Sequence, residues 1–188
     1  MKKPELIILA GSAGSFQVIF KLINALPANF LVSILIVIHR GKTANHNIED
    51  LWNNASKILV KEINDKDEIK KSTIYLCPPD YHLLIEKEKV FSLDVSEPIM
   101  FSRPSIDLTM QSASAVYKDK LLAILFSGAN RDGAKGMLEI KNQGGETIVQ
   151  NPEEVEVDTM PLAAISLNAY TQILKIKEIE NLLLSLVG

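Results

Sequence analysis

The chain has 188 residues, of which 47% are hydrophobic and 23% charged, and its formal net charge is −3. This length and composition predict one soluble globular domain spanning residues 1–188. The charge gives no reason to expect a nucleic-acid partner, and the apolar run near the N-terminus is too short for a signal peptide or membrane insertion. The lone Cys77 excludes an internal disulfide, which fits a cytoplasmic protein.

The first strand, turn and helix are predicted from the opening residues of the chain. Residues 6–9 are a continuous apolar run, as in a strand buried on both faces of a parallel sheet. Small residues follow, and apolar residues then recur at helical spacing from Phe16 to Ile23. Ser12 therefore stands at a helix N-terminus, where unpaired backbone N–H groups favour an anion or a developing oxyanion. The turn alone fits a phosphate-binding loop, a nucleophile turn or a serine cap.

The rest of the chain alternates between strand and helix patterns. Strands separated by helix-length segments predict a parallel, doubly wound α/β sheet, and an antiparallel hairpin is predicted as an insertion at residues 82–95. The remaining predicted strands are residues 31–38, 58–62, 73–77, 121–126 and 147–150. The predicted helices are residues 45–56, a helix that starts at 102–104, a helix that ends at 144–145, and residues 161–168 and 178–187.

Three polar side chains follow predicted strands of this sheet. Ser12 follows the first strand, His39 follows the second, and Asp132 lies in the loop after residues 121–126. Because ligands of doubly wound sheets bind at the carboxyl ends of the strands, we expect all three at one edge. They are the groups of an acyl-transfer triad, in which serine attacks, histidine accepts its proton and aspartate orients the imidazole. The structural alternatives are that Ser12 caps a helix and that Asp132 complements the dipole of its own helix.

Other kinds of site fit the residues less well. Gly11 and Gly14 supply only part of the GxGxxG fingerprint of dinucleotide-binding proteins, and His39 stands where an acidic ribose ligand is expected. His39, His46 and His82 lack the spacing of metal ligands, so no metal is predicted. The triad chemistry also requires no cofactor.

Six short segments of the chain are distinctive: AGSAGS (10–15), IVIHRG (36–41), CPPDYH (77–82), RPSID (103–107), SGANRDGAKG (127–136) and the Met-Pro pair at 160–161. Together and in this order they resemble the catalytic domain of CheB-type chemotaxis methylesterases. The resemblance implies a three-layer α/β/α fold with a mostly parallel sheet. It also implies a hydrolase that removes methyl esters from glutamates on the cytoplasmic helices of chemoreceptors, with glutamine deamidation as a second activity.

The resemblance assigns roles to individual residues. Ser12, His39 and Asp132 match the catalytic serine, histidine and aspartate of the family. The backbone N–H groups of Ala13 and Ala129 would bind the oxyanion, although the family has methionine at the second position.

Four further residues are candidate substrate contacts: His82, Arg103, Arg131 and Met160. The residue pair before Asp132 departs from the family pattern. Asn130 is expected to allow a left-handed backbone there, and Arg131 could pair with Asp132 and draw it away from His39.

We therefore predict a single-domain protein-glutamate methylesterase without the receiver domain of regulated members. Its expected partners are chemoreceptors, with a receptor methyltransferase as a second candidate. The alternative is a catalytically weak or inactive interaction module that docks to a chemoreceptor or methyltransferase. An esterase for a different ester is a third possibility.

Overall fold

The structure, a computed structural model, describes residues 2–40 and 48–187. Most of the chain within these ranges forms strands and helices that alternate, apart from one hairpin. In chain order the elements are β1 (Leu6–Gly11), α1 (Ser15–Ala25), β2 (Ser33–Ile38), α2 (Ile48–Ala55), β3 (Leu59–Glu62), β4 (Thr73–Leu76), β5 (His82–Ile85), β6 (Phe91–Asp94), α3 (Ile106–Tyr117), β7 (Leu121–Leu125), α4 (Ala134–Asn142), β8 (Glu146–Gln150), α5 (Thr159–Ser166), β9 (Gln172–Leu174) and α6 (Ile176–Ser185).

One parallel sheet organises the described chain, in the strand order β3-β4-β2-β1-β7-β8-β9. The central strand β1 pairs with β2 on one side and with β7 on the other. Gly11, the last residue of β1, is opposite Ile38, the last residue of β2. The carboxyl ends of β1, β2 and β7 therefore lie side by side, and the segments that follow them meet at one edge.

Side chains of β1 alternate between two separate cores. Leu6 and Ile8 belong to a core shared with α3, α4, α5 and the β5–β6 hairpin. Ile7 and Leu9 belong to a core shared with α1, α2 and α6. Because both faces of the sheet are covered, strands such as β1 and β2 are apolar throughout rather than alternating. The predicted three-layer α/β/α fold with an inserted antiparallel hairpin is confirmed.

The structure differs from the sequence prediction at a few element boundaries. Strand β9 was not predicted, and it is short, largely exposed and paired only with β8. The predicted helix at residues 45–56 is present as α2, but residues 45–47 lie outside the described ranges. None of the helices within those ranges is both long and apolar enough to cross a membrane.

Candidate active site

The turn between β1 and α1 is not held by the Ser12 hydroxyl. The N-cap of α1 is Gly14, whose φ of 78° suits glycine, and no side chain caps the helix. A Cβ atom at Gly11 would approach the Ser15 side chain to 2.6 Å, so the tight turn also requires glycine there. Ser15 binds the carbonyl of Ser12 through its N–H at 3.1 Å and its hydroxyl at 2.7 Å. Within the described part of the chain, Ser12 Oγ makes no hydrogen bond, so the cap hypothesis is wrong.

His39 follows β2 directly and reaches across to the loop after β7. Its backbone N–H donates to the carbonyl of Gly11 at 3.3 Å, which continues the pairing of β1 with β2. Its Nε2 lies 2.9 Å from Oδ2 of Asp132. The His39 side chain is 13% exposed and that of Asp132 is fully buried. The structure thus brings His39 and Asp132 into contact and places Ser12 next to His39 along the sheet edge, without a hydrogen bond between those two side chains.

The carboxylate of Asp132 accepts four hydrogen bonds. Oδ2 accepts from His39 and from the Ile106 N–H at 2.7 Å, and Oδ1 accepts from the Ser105 hydroxyl at 3.0 Å and the Asp107 N–H at 2.9 Å. Two of these donors are first-turn N–H groups of α3, where the helix dipole favours a negative charge. Burial raises the pKa of Asp132, but the bonds from His39, Asp107 and Ile106 outweigh it and hold the pKa below its usual 3.8. The charge of Asp132 therefore interacts with the dipole of α3, and not with that of α4, the helix that follows it in the chain.

Asp107 makes the reciprocal contact. Its Oδ1 accepts from the N–H groups of Gly133 at 2.9 Å and Gly136 at 2.7 Å, in the segment that directly follows Asp132. Burial raises the pKa of Asp107, and the negative charge of Asp132 adds to this effect against the two backbone bonds. Asp132 thus binds the start of α3, which contains Asp107, and Asp107 binds the start of α4, which follows Asp132. This cross-bonding fixes the loop after β7 against α3.

The contact with Asp132 determines which nitrogen of His39 can act as a base. An ionised carboxylate only accepts hydrogen bonds, so Nε2 of His39 carries a proton and donates it to Asp132. In the neutral imidazole the lone pair then lies on Nδ1. Nδ1 is therefore the atom that can receive a proton from Ser12.

The backbone N–H groups expected to bind an oxyanion are available. Those of Ala13 and Ala129 donate to no other atom in the described ranges. The Ser12 N–H donates to the carbonyl of Ser127 at 2.8 Å, which joins the serine turn to the loop that contains Ala129.

Two of the four residues expected to contact substrate are buried within the protein. His82 is 0% exposed, its Nδ1 accepts from the Ser105 N–H at 3.1 Å, and its Nε2–H donates to the Glu97 carbonyl at 3.0 Å. Met160 is also 0% exposed and packs on Gly128, where an added Cβ would meet its methyl carbon at 2.5 Å. Both side chains are thus engaged within the protein, and their contact with substrate stays a prediction.

The hydrogen bonds of the Arg103 side chain are divided equally between its own loop and Asp80. Its Nη1 donates to the carbonyls of Val95 and Ser96, both at 2.8 Å, and its Nη2 donates to Asp80 Oδ1 at 2.7 Å. It still lines a cavity of about 360 Å³ beside His39. The full lining of that cavity is His39, Arg40, Asp80, Pro98, Phe101, Ser102 and Arg103.

Arg131 does not draw Asp132 away from His39. It is exposed and forms no ion pair with Asp132, whose acceptor positions are filled by other groups. Asn130 does not adopt the left-handed backbone expected from the sequence. Instead its Oδ1 accepts from the Asp132 N–H at 3.1 Å, which stabilises the turn without a positive φ.

Sequence reasoning missed the roles of Ser105 and Asp107. The signal for them was the RPSID segment, which was interpreted only as the start of a helix and as a family landmark. The third histidine considered for a metal site, His46, lies outside the described ranges.

A partly exposed serine in a tight strand–helix turn, next to a histidine bonded to a buried aspartate, is typical of serine-dependent ester hydrolases. A family model described as CheB methylesterase matches residues 7–183. The chain belongs to the CheB methylesterase family.

Individual relatives agree with this assignment. A Leptospira interrogans protein, provisionally named protein-glutamate methylesterase/protein-glutamine glutaminase, is 39% identical over 97% of this chain and 94% of its own length. The Thermotoga maritima protein of that name is 30% identical over 97% of this chain but only 54% of its own length. The crystal structure of the Thermotoga maritima CheB methylesterase catalytic domain has a TM-score of 0.91 at 30% identity and covers 98% of this chain and 99% of that one.

Proposed function

We propose that this protein is a serine hydrolase that removes methyl esters from glutamate side chains of chemoreceptors in the cytoplasm. Ser12 is the nucleophile, His39 the general base and Asp132 the residue that orients His39. The observation that carries the proposal is the 2.9 Å contact between His39 Nε2 and a fully buried Asp132. The substrate class is supported by the names of the relatives, which are protein-glutamate methylesterases.

The reaction follows from the protonation states in the site. Nδ1 of His39 removes the proton from Ser12 Oγ as that oxygen attacks the ester carbonyl carbon. The bond to the methoxy group then breaks, and methanol leaves with the proton from Nδ1. Water, deprotonated by the same nitrogen, attacks the acyl-enzyme, and the free glutamate and the Ser12 hydroxyl are restored. Asp132 remains ionised throughout and stabilises the imidazolium.

The oxyanion of each tetrahedral intermediate would be bound by the N–H groups of Ala13 and Ala129. These donors are preorganised by the backbone and are free of competing acceptors in the described structure. Loss of one such donor costs about 3–4 kcal/mol of transition-state stabilisation in comparable enzymes. The same groups could process a glutamine amide, with ammonia as the leaving group in place of methanol, and the relatives' second name is consistent with this.

The test is methanol release from membranes that contain methylated chemoreceptors. Wild-type protein should release methanol, and Ser12→Ala and His39→Ala should each abolish release while remaining folded by circular dichroism. Lys57→Ala, at an exposed position just before β3 and therefore at the opposite end of the parallel strands, is the control and should retain release. Release that persists in Ser12→Ala would contradict the mechanism. Deamidation is followed in parallel by mass spectrometry of receptor glutamines.

One argument for the alternative, a docking module without turnover, no longer applies. It depended partly on Arg131 drawing Asp132 away from His39, and Asp132 is instead bonded to His39 and to three groups at the start of α3. If no folded form released methanol from receptors of the native host, the docking module would be favoured.

A further inference from the structure

The loop that connects β6 to α3 exposes several apolar side chains beside the candidate active site. We call residues 95–102 the apolar finger. Within it Val95 is 69% exposed, Met100 44% and Phe101 103%, so Phe101 contacts almost nothing in the described chain. A group of exposed apolar side chains, unlike a single one, typically marks a surface that another molecule covers.

The tip of the finger is a tight turn made by unfavourable residues. Ile99 and Ser102 exchange two backbone hydrogen bonds, at 3.1 and 2.9 Å, around Met100 and Phe101. The φ angles of these two residues are 48° and 62°, as in a type I′ turn. Asn-Gly is the favoured pair in such a turn, because a left-handed backbone is sterically costly for residues with larger side chains. Neither side chain recovers that cost through burial, so stability does not explain these residues.

The base of the finger is fixed to the candidate active site. Arg103 holds the carbonyls of Val95 and Ser96, and the Ser102 hydroxyl accepts from the side-chain amide of Asn130 at 3.3 Å. Asn130 Oδ1 in turn accepts a hydrogen bond from the backbone N–H of Asp132. The exposed tip is therefore held at a defined place relative to the catalytic groups.

The finger also borders the space that a substrate must enter. Phe101 and His39 line the same cavity of about 360 Å³. On the other side, Met100 lines a cavity of about 650 Å³ together with Leu162, the cations Arg131 and Lys135 and the acids Asp107 and Asp158. A protein segment that delivers an ester to His39 therefore meets an exposed apolar tip that separates two cavities.

We propose that the apolar finger is the substrate-recognition element of this protein. Met100 and Phe101 pack against apolar side chains of an amphipathic receptor helix, while a glutamate ester of that helix enters the cavity at His39. This inference rests on the proposed function, since it takes the receptor helix as the substrate.

The test replaces the tip by the residues that the turn prefers, Met100→Asn with Phe101→Gly. The double variant keeps the turn and should melt at a higher temperature than the wild type, so weaker binding could not be attributed to misfolding. Binding of a methylated cytoplasmic fragment of a chemoreceptor is measured in the Ser12→Ala background, where turnover cannot consume the ester. The matched control is Leu59→Ala, which removes an apolar side chain of 61% exposure from the start of the edge strand β3.

We expect the tip variant to bind the fragment about tenfold to hundredfold more weakly, because one or two buried apolar side chains contribute that much to affinity. With Ser12 restored, the loss should appear in KM rather than kcat, and Leu59→Ala should change neither. Equal affinity of the tip variant and its parent, or no binding of the fragment by the parent, would overturn the proposal. Finger-dependent binding without any methanol release would support the finger and contradict the hydrolase.

Discussion

Asp107 offers a sharp test of how Asp132 is held in place. Its Oδ1 is the acceptor for the N–H groups of Gly133 and Gly136 in the segment after Asp132, and both glycines are buried. Asp107→Ala leaves two buried N–H groups without that acceptor. Because each such group costs about 1–3 kcal/mol, the free energy of unfolding should fall by about 2–6 kcal/mol.

The variant Asp107→Asn tests the hydrogen-bond acceptor of Asp107 separately from its negative charge. The amide oxygen can take the place of Oδ1 and keep both backbone hydrogen bonds, although these bonds are weaker to a neutral acceptor. The substitution also removes a negative charge that is buried next to Asp132. The two effects oppose each other, so the loss should stay below about 1.5 kcal/mol. Ester hydrolysis should fall in Asp107→Ala and be largely rescued in Asp107→Asn.

Urea unfolding at neutral pH measures the stability of both variants, with the m value as a check on two-state behaviour. Asp119→Ala is the control, since it removes an exposed aspartate whose partner, Lys2, is also exposed, and it should leave the free energy of unfolding almost unchanged. If Asp107→Asn were as unstable as Asp107→Ala, the charge rather than the acceptor would hold the loop. If Asp107→Ala unfolded like the wild type, the cross-bonding would have no energetic role.

Three further outcomes follow from the structure. Gly14→Ala should lower the free energy of unfolding by about 1–2 kcal/mol through its left-handed backbone alone, and a Cβ atom only 2.8 Å from Cβ of Glu156 should add to the loss. Because folding lowers the pKa of Asp132, its stabilising contribution is present above the ordinary pKa of 3.8 and is lost as the pH falls through the folded value. The stability difference between wild type and Asp132→Ala, measured by urea unfolding, should therefore narrow between neutral pH and about pH 3. Burial raises the pKa of Cys77, so its thiol should react with a thiol reagent only after unfolding.

Each of these three predictions would be contradicted by one result. An unchanged melting temperature for Gly14→Ala would mean that the turn adapts to a side chain. A pH-independent gap between wild type and Asp132→Ala would mean that the carboxylate is not preferentially ionised in the folded state. Rapid labelling of Cys77 in native buffer would indicate frequent opening of the sheet edge near β4.

The central strands and the placement of three polar residues at one edge of the sheet could be predicted because a single physical rule determines each. Strands β1 and β2 are buried on both faces, so their residues are continuously apolar and easily recognised. Ser12, His39 and Asp132 then follow from the rule that polar groups just past parallel strands meet at one edge. No side-chain packing had to be known for either inference.

The functions of the remaining site residues depend on tertiary contacts that leave no periodic signal. His82 resembles a substrate ligand in sequence, and only the packing of the hairpin against α3 shows that both of its ring nitrogens are engaged. The cross-bonding of Asp107 with Asp132 joins groups 25 positions apart, and local spacing says nothing about it. Strand β9 escaped prediction because its three residues are too few and too exposed to show a pattern.

The strand order has a consequence for the protein as it emerges from the ribosome. Strand β1 lies at the centre of the sheet, but its partner β7 is made long after β2, and His39 and Asp132 are 93 positions apart. Until β7 arrives, one side of a fully apolar strand has no hydrogen-bonding partner and is a target for aggregation. Insertion of β7 closes that edge and delivers Asp132 to His39 in the same step. A nascent chain that ends before β7 therefore leaves one side of this apolar strand open, and it cannot yet bring Asp132 to His39.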